Sequence, residues 1–307
     1  MLIHVGSRRS LSTWLQEELF SNNNFYIIKG HLNKTRISKY FEYSDPVLSD
    51  LNKLKKELRQ DIENAKLQKK IPIITNEALV GNELNGNNFF AISNFLKSIS
   101  NQETKILYII RRQDHKILAL YKKHIAKGGV SNLKNFINSG DYINRGIFPY
   151  SINFKKECLF YDKIIEHYQY LFGKENVLVL PYEMFAKKNE IFIKRILEFI
   201  NLNEAVEYNA SKIHNKGHKW PNLLLFKFFN LIIGNPTGLD SVLKFKYRNF
   251  SRLLFLRLAK RFNIKKFDDL YQKKVLKVIK NEINDYYKTS NEKTSKLIKI
   301  NLDEYGY

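Results

Sequence analysis

The chain has a single cysteine, Cys158, among its 307 residues. One cysteine excludes an internal disulfide and favours a reducing compartment. The amino end also lacks the basic and then apolar leader that is typical of secreted proteins. We therefore expect a cytoplasmic protein whose fold depends on a buried core and not on covalent cross-links.

Long apolar runs are missing as well. The most apolar stretch, residues 223–234, is interrupted by Lys227 and is shorter than the roughly 20 residues that span a bilayer. We expect a core helix here. The alternative is that this stretch, with Lys219 and Lys227 beside it, makes a peripheral contact with the inner face of a membrane.

Acidic residues are few, since 30 Asp and Glu stand against 52 Lys and Arg, which gives a formal net charge of +22. Such an excess favours anionic partners: a charged nucleotide, an acidic glycan, anionic lipid or nucleic acid. The sequence contains no zinc-ligand spacing, no aromatic-glycine RNA motif and no basic heptad repeat. These absences argue against nucleic acid as the partner.

Short apolar runs alternate with helical patterns up to about residue 202. This alternation predicts an α/β fold, with a central parallel sheet flanked by helices and a helical C-terminal part. We expect a single domain over residues 1–307, with an α/β nucleotide-binding core in 1–202 and a mainly helical part in 203–307. The predicted strands are residues 2–5, 25–28, 71–77, 105–110 and 177–180.

The first predicted strand leads into a basic, hydroxyl-rich loop and then into a helix. A helix that opens directly after a strand directs free backbone N–H groups outward, which makes a seat for an anion. The loop adds charges and hydroxyls at the same place, from Arg8, Arg9, Ser10, Ser12 and Thr13. The predicted ligand is a phosphate or a sulfate. In the alternative interpretation, Ser12 only caps the helix and the arginines are solvated.

This loop, Arg8-Arg9-Ser10-Leu11-Ser12-Thr13-Trp14-Leu15, resembles the Pro-Lys-Thr-Gly-Thr-Thr-Trp-Leu loop of sulfotransferases that use 3′-phosphoadenosine 5′-phosphosulfate. The resemblance implies a P-loop-like three-layer fold and donor binding by residues 8–14. Arg9 stands where most members have a catalytic lysine. Leu11 stands at the glycine of the family, although leucine resists a positive φ.

A second basic turn, Arg111-Arg112, follows the predicted strand 105–110. It resembles the turn with which sulfotransferases bind the 3′-phosphate of the donor, and a guanidinium suits a phosphate because it donates two parallel hydrogen bonds. In the family a serine stands eight residues later, and here that position is Ala119. Arg112 or Lys116 are candidates to compensate for the lost hydroxyl.

Three further stretches extend the resemblance towards the carboxyl end. Pro181-Tyr182-Glu183 is similar to a turn of the family that follows its last strand. Lys216-Gly217 resembles the late loop that closes over the nucleotide, so Lys216 is a candidate donor-binding residue. Ser290-Asn291 and Gly306-Tyr307 resemble motifs of bacterial sulfotransferases.

Glu77 ends the third predicted strand, and strands of a parallel sheet direct their carboxyl ends to one crevice. We therefore expect Glu77 to face the same crevice as Arg9. The family often carries a glutamate there as the base that deprotonates the acceptor, so the resemblance implies this role for Glu77. The competing bases are His4, His31, His115 and His124.

The resemblance implies transfer of a sulfuryl group from 3′-phosphoadenosine 5′-phosphosulfate to an acceptor hydroxyl, preferably of a carbohydrate, without a metal. Arg9 and Glu77 are the catalytic candidates. A nucleotide kinase is disfavoured because the motif Gly-x-x-x-x-Gly-Lys-Ser/Thr is absent. Another possibility is a non-catalytic protein that binds polyanions such as acidic glycans or nucleic acid, with Leu11 and Ala119 marking a decayed donor site.

Overall fold

The computed structural model describes residues 1–28, 50–139, 154–204, 206–212, 217–233 and 265–307. These residues fall into two compact units. The first unit comprises Met1–Arg112, Glu157–His214 and Tyr287–Tyr307, and the second comprises Gln113–Lys156 and Asn215–Tyr286. Each unit is made of separate stretches of the chain. The expectation of a single domain, with an α/β core in residues 1–202 and a mainly helical part in 203–307, stays a prediction.

The first unit is built on a parallel sheet, which has five strands in the described residues: β1 (Leu2–His4), β2 (Phe25–Ile27), β3 (Ile71–Thr75), β4 (Lys105–Ile110) and β5 (Val177–Pro181). Their order across the sheet is β2, β3, β1, β4, β5. Leu2 of β1 pairs with Ile73 on one side and Lys105 on the other. The five predicted strands are therefore confirmed, except that β3 ends at Thr75, so that Glu77 lies in the turn after the strand and not at its end.

The helices of the first unit are, in chain order, α1 (Ser12–Trp14, continuing as a π-helical segment Leu15–Leu19), α2 (Leu51–Leu67), α3 (Phe89–Ser98), α6 (Tyr161–Phe172), α7 (Tyr182–Lys187), α8 (Asn189–Phe199) and α11 (Lys288–Ile298). The second unit contains α4 (Gln113–Ala126), α5 (Leu133–Ile137), α9 (Trp220–Ile233) and α10 (Lys265–Ile283).

Side chains alternate between the two faces along each strand, and other side chains pack against both faces. On one face a continuous apolar cluster joins the strands to α1, α7 and α8; it includes Leu2, Leu15, Leu107, Leu180, Met184 and Ile196. On the other face the ring of Tyr108 in β4 lies against Tyr161 of α6, with ring centroids 6.2 Å apart. The predicted three-layer α/β fold is confirmed.

The segment after Tyr287 returns to the first unit. Its helix α11 packs on α6, and the Ser290 hydroxyl there donates a hydrogen bond to the buried carboxylate of Asp162. The ring of Tyr287 adds a contact with Phe160, at 5.8 Å between centroids. The residues that follow α11 are thereby held close to the end of β5.

The second unit is helical in its described residues, and Trp220 lies in its core. Asp268 of α10 accepts a hydrogen bond from the Trp220 backbone N–H at 2.5 Å, which satisfies a free donor at the start of α9. The ring of Trp220 also contacts Tyr271 and lies under the Lys122 ammonium. The expected core helix near residues 223–234 is therefore present. The helices of the described residues are too short or too polar for any of them to cross a bilayer.

Candidate active site

The loop after β1 continues alongside β4 beyond the last paired residue of β1. The backbone N–H of Ser7 donates to Ile109, and the Ile109 N–H donates to Gly6. The Ser12 hydroxyl donates to the Ser7 carbonyl at 3.2 Å, and the hydroxyls of Ser7 and Ser10 lie 3.1 Å apart. These contacts close the loop on itself. Ser12 does not cap the helix, because its hydroxyl bonds backward into the loop while Leu11 occupies the N-cap position.

Gly6 brings this loop against the turn after β3. Its φ is +103°, and a Cβ atom at Gly6 would lie 2.9 Å from the carbonyl oxygen of Glu77. A side chain would not fit at that distance. The close approach is therefore a packing reason for the glycine, and it places the backbone of Glu77 directly beside the first loop.

Arg8 links the loop to two carboxylates. Its Nε lies 4.0 Å from Glu77 Oε2, and its Nη1 lies 3.5 Å from Glu83 Oε1. The three side chains are about a fifth exposed or less, so their charges are screened less than those of a surface pair. Arg9, by contrast, is exposed and has a positive φ of 65°.

The turn after β4 meets the same loop. The Arg111 guanidinium donates from Nη1 to the Arg9 carbonyl at 2.6 Å, and its centre lies 4.9 Å from the centroid of the Tyr182 ring. The Nε of Arg111 is buried and has no hydrogen-bond partner among the described residues. Two basic loops, one after β1 and one after β4, thus meet at the carboxyl edge of neighbouring strands.

A half-buried carboxylate, Glu183, lies behind Arg111 in the first turn of α7. It accepts hydrogen bonds from the Arg112 backbone N–H at 3.2 Å and from the Tyr307 hydroxyl at 3.0 Å. Burial raises the pKa of Glu183, although these hydrogen bonds act in the opposite direction. Such a carboxylate serves to hold backbone segments together.

This arrangement of strand, basic loop and helix can be compared with known proteins. Residues 2–219, more than half of the chain, match the family described as "Sulfotransferase domain". The chain belongs to the sulfotransferase family. The match includes both basic loops and the Pro-Tyr-Glu turn of this sulfotransferase, as the sequence motifs predict.

Two solved structures that are similar to this sulfotransferase chain come from bacteria. The sulfotransferase from Alicyclobacillus acidocaldarius is 12% identical, with a TM-score of 0.48; the alignment covers 75% of this chain and 92% of that one. The sulfotransferase domain of the olefin synthase from Synechococcus PCC 7002 is 13% identical, with a TM-score of 0.38 and coverage of 86% and 94%. A search of curated proteins gives no match.

The structure sorts the loop residues of this sulfotransferase into two groups. The side chains of Ser10, Ser12 and Trp14 are buried, and the Trp14 indole N–H donates to the Asn209 carbonyl at 2.9 Å. Trp14 can therefore reach a ligand only through its backbone. Arg8 and Thr13 are half-buried and Arg9 is exposed, so side-chain contact with a ligand falls to these three.

Leu11 adopts the conformation that the glycine of the family motif favours. Its φ is 69°, which is uncommon for a residue with a Cβ atom. Its side chain packs against the apolar cluster. Leucine thus occupies the left-handed region here, although a side chain with a Cβ atom resists that conformation.

The backbone of Glu77 lies beside the first loop, and its carboxylate lies 4.0 Å from Arg8 Nε. That Glu77 faces the same crevice as Arg9 and acts as the base stays a prediction. Among the competing bases, His4 is fully buried and contacts the Thr75 hydroxyl at 2.8 Å. Burial lowers the pKa of His4 to about 3 and that of His124 to about 4. His31 lies outside the described residues.

The two remaining positions from the sequence motifs are Lys216 and Ala119. Lys216 lies outside the described residues, so its donor-binding role stays a prediction. Ala119 lies within α4.

No group of three or more possible metal-ligating His, Cys, Asp or Glu residues occurs in the part of the chain that the structure describes.

Sequence reasoning missed the residues that hold the arginines in place. Glu83 contacts Arg8 from the loop after Glu77, and the Tyr161 hydroxyl donates to the Arg111 carbonyl at 2.5 Å. Neither stands in a motif that could have indicated the contact. The contact of Tyr182 with Arg111 could have been found from the sequence. Tyr182 lies in the Pro-Tyr-Glu turn after β5, and β5 was predicted to belong to the same sheet as β4.

Proposed function

We propose that this sulfotransferase transfers the sulfuryl group of 3′-phosphoadenosine 5′-phosphosulfate to a hydroxyl of a carbohydrate acceptor. The observation that carries the proposal is the 2.6 Å hydrogen bond from Arg111 to the Arg9 carbonyl. It joins the loops at the carboxyl ends of β1 and β4, where a nucleotide with two anionic groups can bridge them.

In this proposal the first loop binds the 5′-phosphosulfate and Arg111 binds the 3′-phosphate. Arg111 uses one of its five N–H donors on the Arg9 carbonyl. Its buried Nε has no partner in the described residues, and an unsatisfied buried donor is costly. A phosphate oxygen would relieve that cost, which supports donor binding in spite of Ala119.

The reaction requires an in-line displacement at sulfur. The acceptor oxygen forms a bond to sulfur, the bond between sulfur and the bridging phosphate oxygen breaks, and adenosine 3′,5′-bisphosphate leaves with the electron pair. Arg9 stabilises the charge that develops on the bridging oxygen. Glu77 takes the acceptor proton, and its position in the turn beside the first loop supports that role.

The acceptor is proposed from the chemistry next to Glu77. The loop of residues 82–88 contains four asparagines and no basic residue, although the chain as a whole is strongly basic. Amide groups both donate and accept hydrogen bonds, as sugar hydroxyls do. This composition supports a carbohydrate acceptor, and the lone cysteine supports a reducing compartment.

Substitution of the two catalytic candidates tests the mechanism. Arg9→Ala should lower turnover about 10²- to 10³-fold, because one preorganised donor to the leaving oxygen is lost, and should leave nucleotide affinity within a few-fold. Glu77→Gln should lower turnover at unchanged donor affinity. The matched controls are Arg195→Ala and Glu190→Gln, which alter exposed residues of α8. Turnover of Arg9→Ala within about tenfold of the unaltered enzyme would show that the role of Arg9 is wrong.

The net charge of +22 favours one other candidate function, a non-catalytic protein that binds polyanions. Such a protein should bind heparin and should show no binding of adenosine 3′,5′-bisphosphate. Calorimetric titration with that nucleotide therefore separates the two candidates before any acceptor is known.

A further inference from the structure

The peptide bond between Arg111 and Arg112 is held at both of its polar ends. Its carbonyl oxygen accepts a hydrogen bond from the Tyr161 hydroxyl, and its N–H donates to Glu183. A peptide unit is planar, so contacts at both ends fix the orientation of that plane. The pairing of Ile110 with Pro181 holds the chain on the other side of Arg111, so the direction in which the Arg111 side chain leaves the backbone is restricted from both sides.

The same turn also supports the side chain of Arg111. Tyr182 precedes Glu183 in the chain, and its ring lies 4.9 Å from the centre of the Arg111 guanidinium. A cation above an aromatic face is attracted to it. The turn after β5 therefore orients both the backbone and the guanidinium of Arg111.

Tyr307 completes this arrangement from a distant part of the chain. Its hydroxyl donates to Glu183 Oε2 at 3.0 Å, while Oε1 of the same carboxylate accepts from Arg112. The preceding residue, Gly306, has a φ of +80°, and a Cβ atom there would lie 3.0 Å from Arg112 Nη1. Glycine thus lets this segment close on Arg112 and bring Tyr307 to Glu183.

We propose that Glu183 and Tyr307 are positioning residues that, with Tyr161, hold the Arg111–Arg112 peptide so that the Arg111 guanidinium faces the 3′-phosphate of the donor. This inference rests on the proposed function, because it assigns Arg111 to that phosphate. Neither Glu183 nor Tyr307 takes part in the chemical step. A positioning role changes the affinity for one phosphate group of the donor. A general contribution to stability would change the binding of every nucleotide alike.

The experiment measures the ratio of the affinities for adenosine 3′,5′-bisphosphate and adenosine 5′-phosphate by calorimetry. Tyr307→Phe keeps the ring and removes the hydroxyl that contacts Glu183. We expect the variant to bind the bisphosphate about tenfold more weakly, the effect of one hydrogen bond to a charged group. Binding of the 5′-phosphate should stay within about twofold, since this nucleotide does not use Arg111.

Two variants keep the test decisive. Tyr161→Phe removes the contact at the other end of the same peptide and should lower the affinity ratio in the same way. Tyr305→Phe is the matched control, because the contact of Tyr305 is through its ring, which lies 5.4 Å from the Lys187 ammonium. It should leave both affinities unchanged.

Each outcome has a separate meaning. If the unaltered chain shows no preference for the bisphosphate, the proposed function fails, and the positioning role fails with it. If the unaltered chain prefers the bisphosphate and Tyr307→Phe keeps the full preference, only the positioning role is overturned. An equal loss of affinity for both nucleotides would also overturn it, because a purely structural role predicts that result.

Discussion

Leu11 has a backbone conformation that glycine adopts more readily, with a φ of 69°. A left-handed conformation costs a residue with a Cβ atom roughly 1–2 kcal/mol. In an ordinary helix, alanine is more stable than glycine by about 1 kcal/mol. At Leu11 this order should be reversed.

We therefore expect Leu11→Gly to have a higher free energy of unfolding than Leu11→Ala, by about 1 kcal/mol. Both variants lose the same packing of the leucine side chain, so the comparison isolates the backbone effect. Urea denaturation of the two variants measures it. A more stable alanine variant would show that position 11 is not left-handed in solution.

The protonation of His4 differs between the folded and the unfolded chain. Burial lowers the pKa of His4 from 6.5 to about 3, so the folded chain keeps it neutral while an unfolded chain protonates it below pH 6.5. The unfolded state then binds more protons between pH 6.5 and about 3. The stability from neutral His4 is present above pH 6.5 and is lost as the pH falls through this window.

Between about pH 7 and 5 the contribution of His4 to the free energy of unfolding should fall by about 2 kcal/mol. We expect His4→Gln to remove this part of the pH dependence, as measured by urea denaturation at the two pH values. His218→Gln alters an exposed histidine and should leave the dependence unchanged. An equal loss of stability in His4→Gln and the unaltered chain would contradict the buried, neutral state of His4.

At the scale of the elements, the loop after β1 and the turn after β3 are in contact because Gly6 has no side chain. A Cβ atom at Gly6 would lie 2.9 Å from the Glu77 carbonyl oxygen and 3.1 Å from its Cα. Both neighbours are backbone atoms and cannot rotate away. The separation of the two segments is therefore sensitive to a single methyl group.

Gly6→Ala should lower the free energy of unfolding by roughly 2 kcal/mol or more, from the positive φ and the close contact together, and should reduce turnover because Glu77 is displaced. Denaturation and a sulfuryl-transfer assay measure the two effects. Gly217→Ala is the control, since a Cβ atom there meets nothing within 4 Å, and it should be neutral within about 0.5 kcal/mol. Equal stabilities of the two variants would contradict the contact.

For the whole molecule, the dominant property is the net charge of +22. Polyanions bound by many lysines release counterions, so their affinity falls steeply with salt. Heparin binding should drop roughly 10³-fold or more between about 50 and 200 mM salt. Adenosine 3′,5′-bisphosphate should lose far less, because its phosphates contact only a few basic groups. Equal salt dependence for both ligands would show that the nucleotide is held by general charge and not by a built site.

Much of the fold could be read from local patterns. The strand at residues 105–110 is recognisable because a strand buried on both faces is a continuous apolar run, and the basic residues after it follow from their place in the chain. The meeting of the loops near Arg9 and Arg111 follows from parallel strands whose carboxyl ends share one edge. The five strands, the three-layer fold and the family required only these short-range signals.

The contacts that orient the arginines depend on the tertiary structure. Tyr307 reaches Glu183 across 124 positions of the chain, and Arg8 reaches Glu83 across 75. Spacing along the chain carries no information about such pairs, because they form only when separate elements pack. The conformation of Leu11 is decided in the same way: local sterics disfavour a positive φ, and the surrounding loop and apolar cluster impose it.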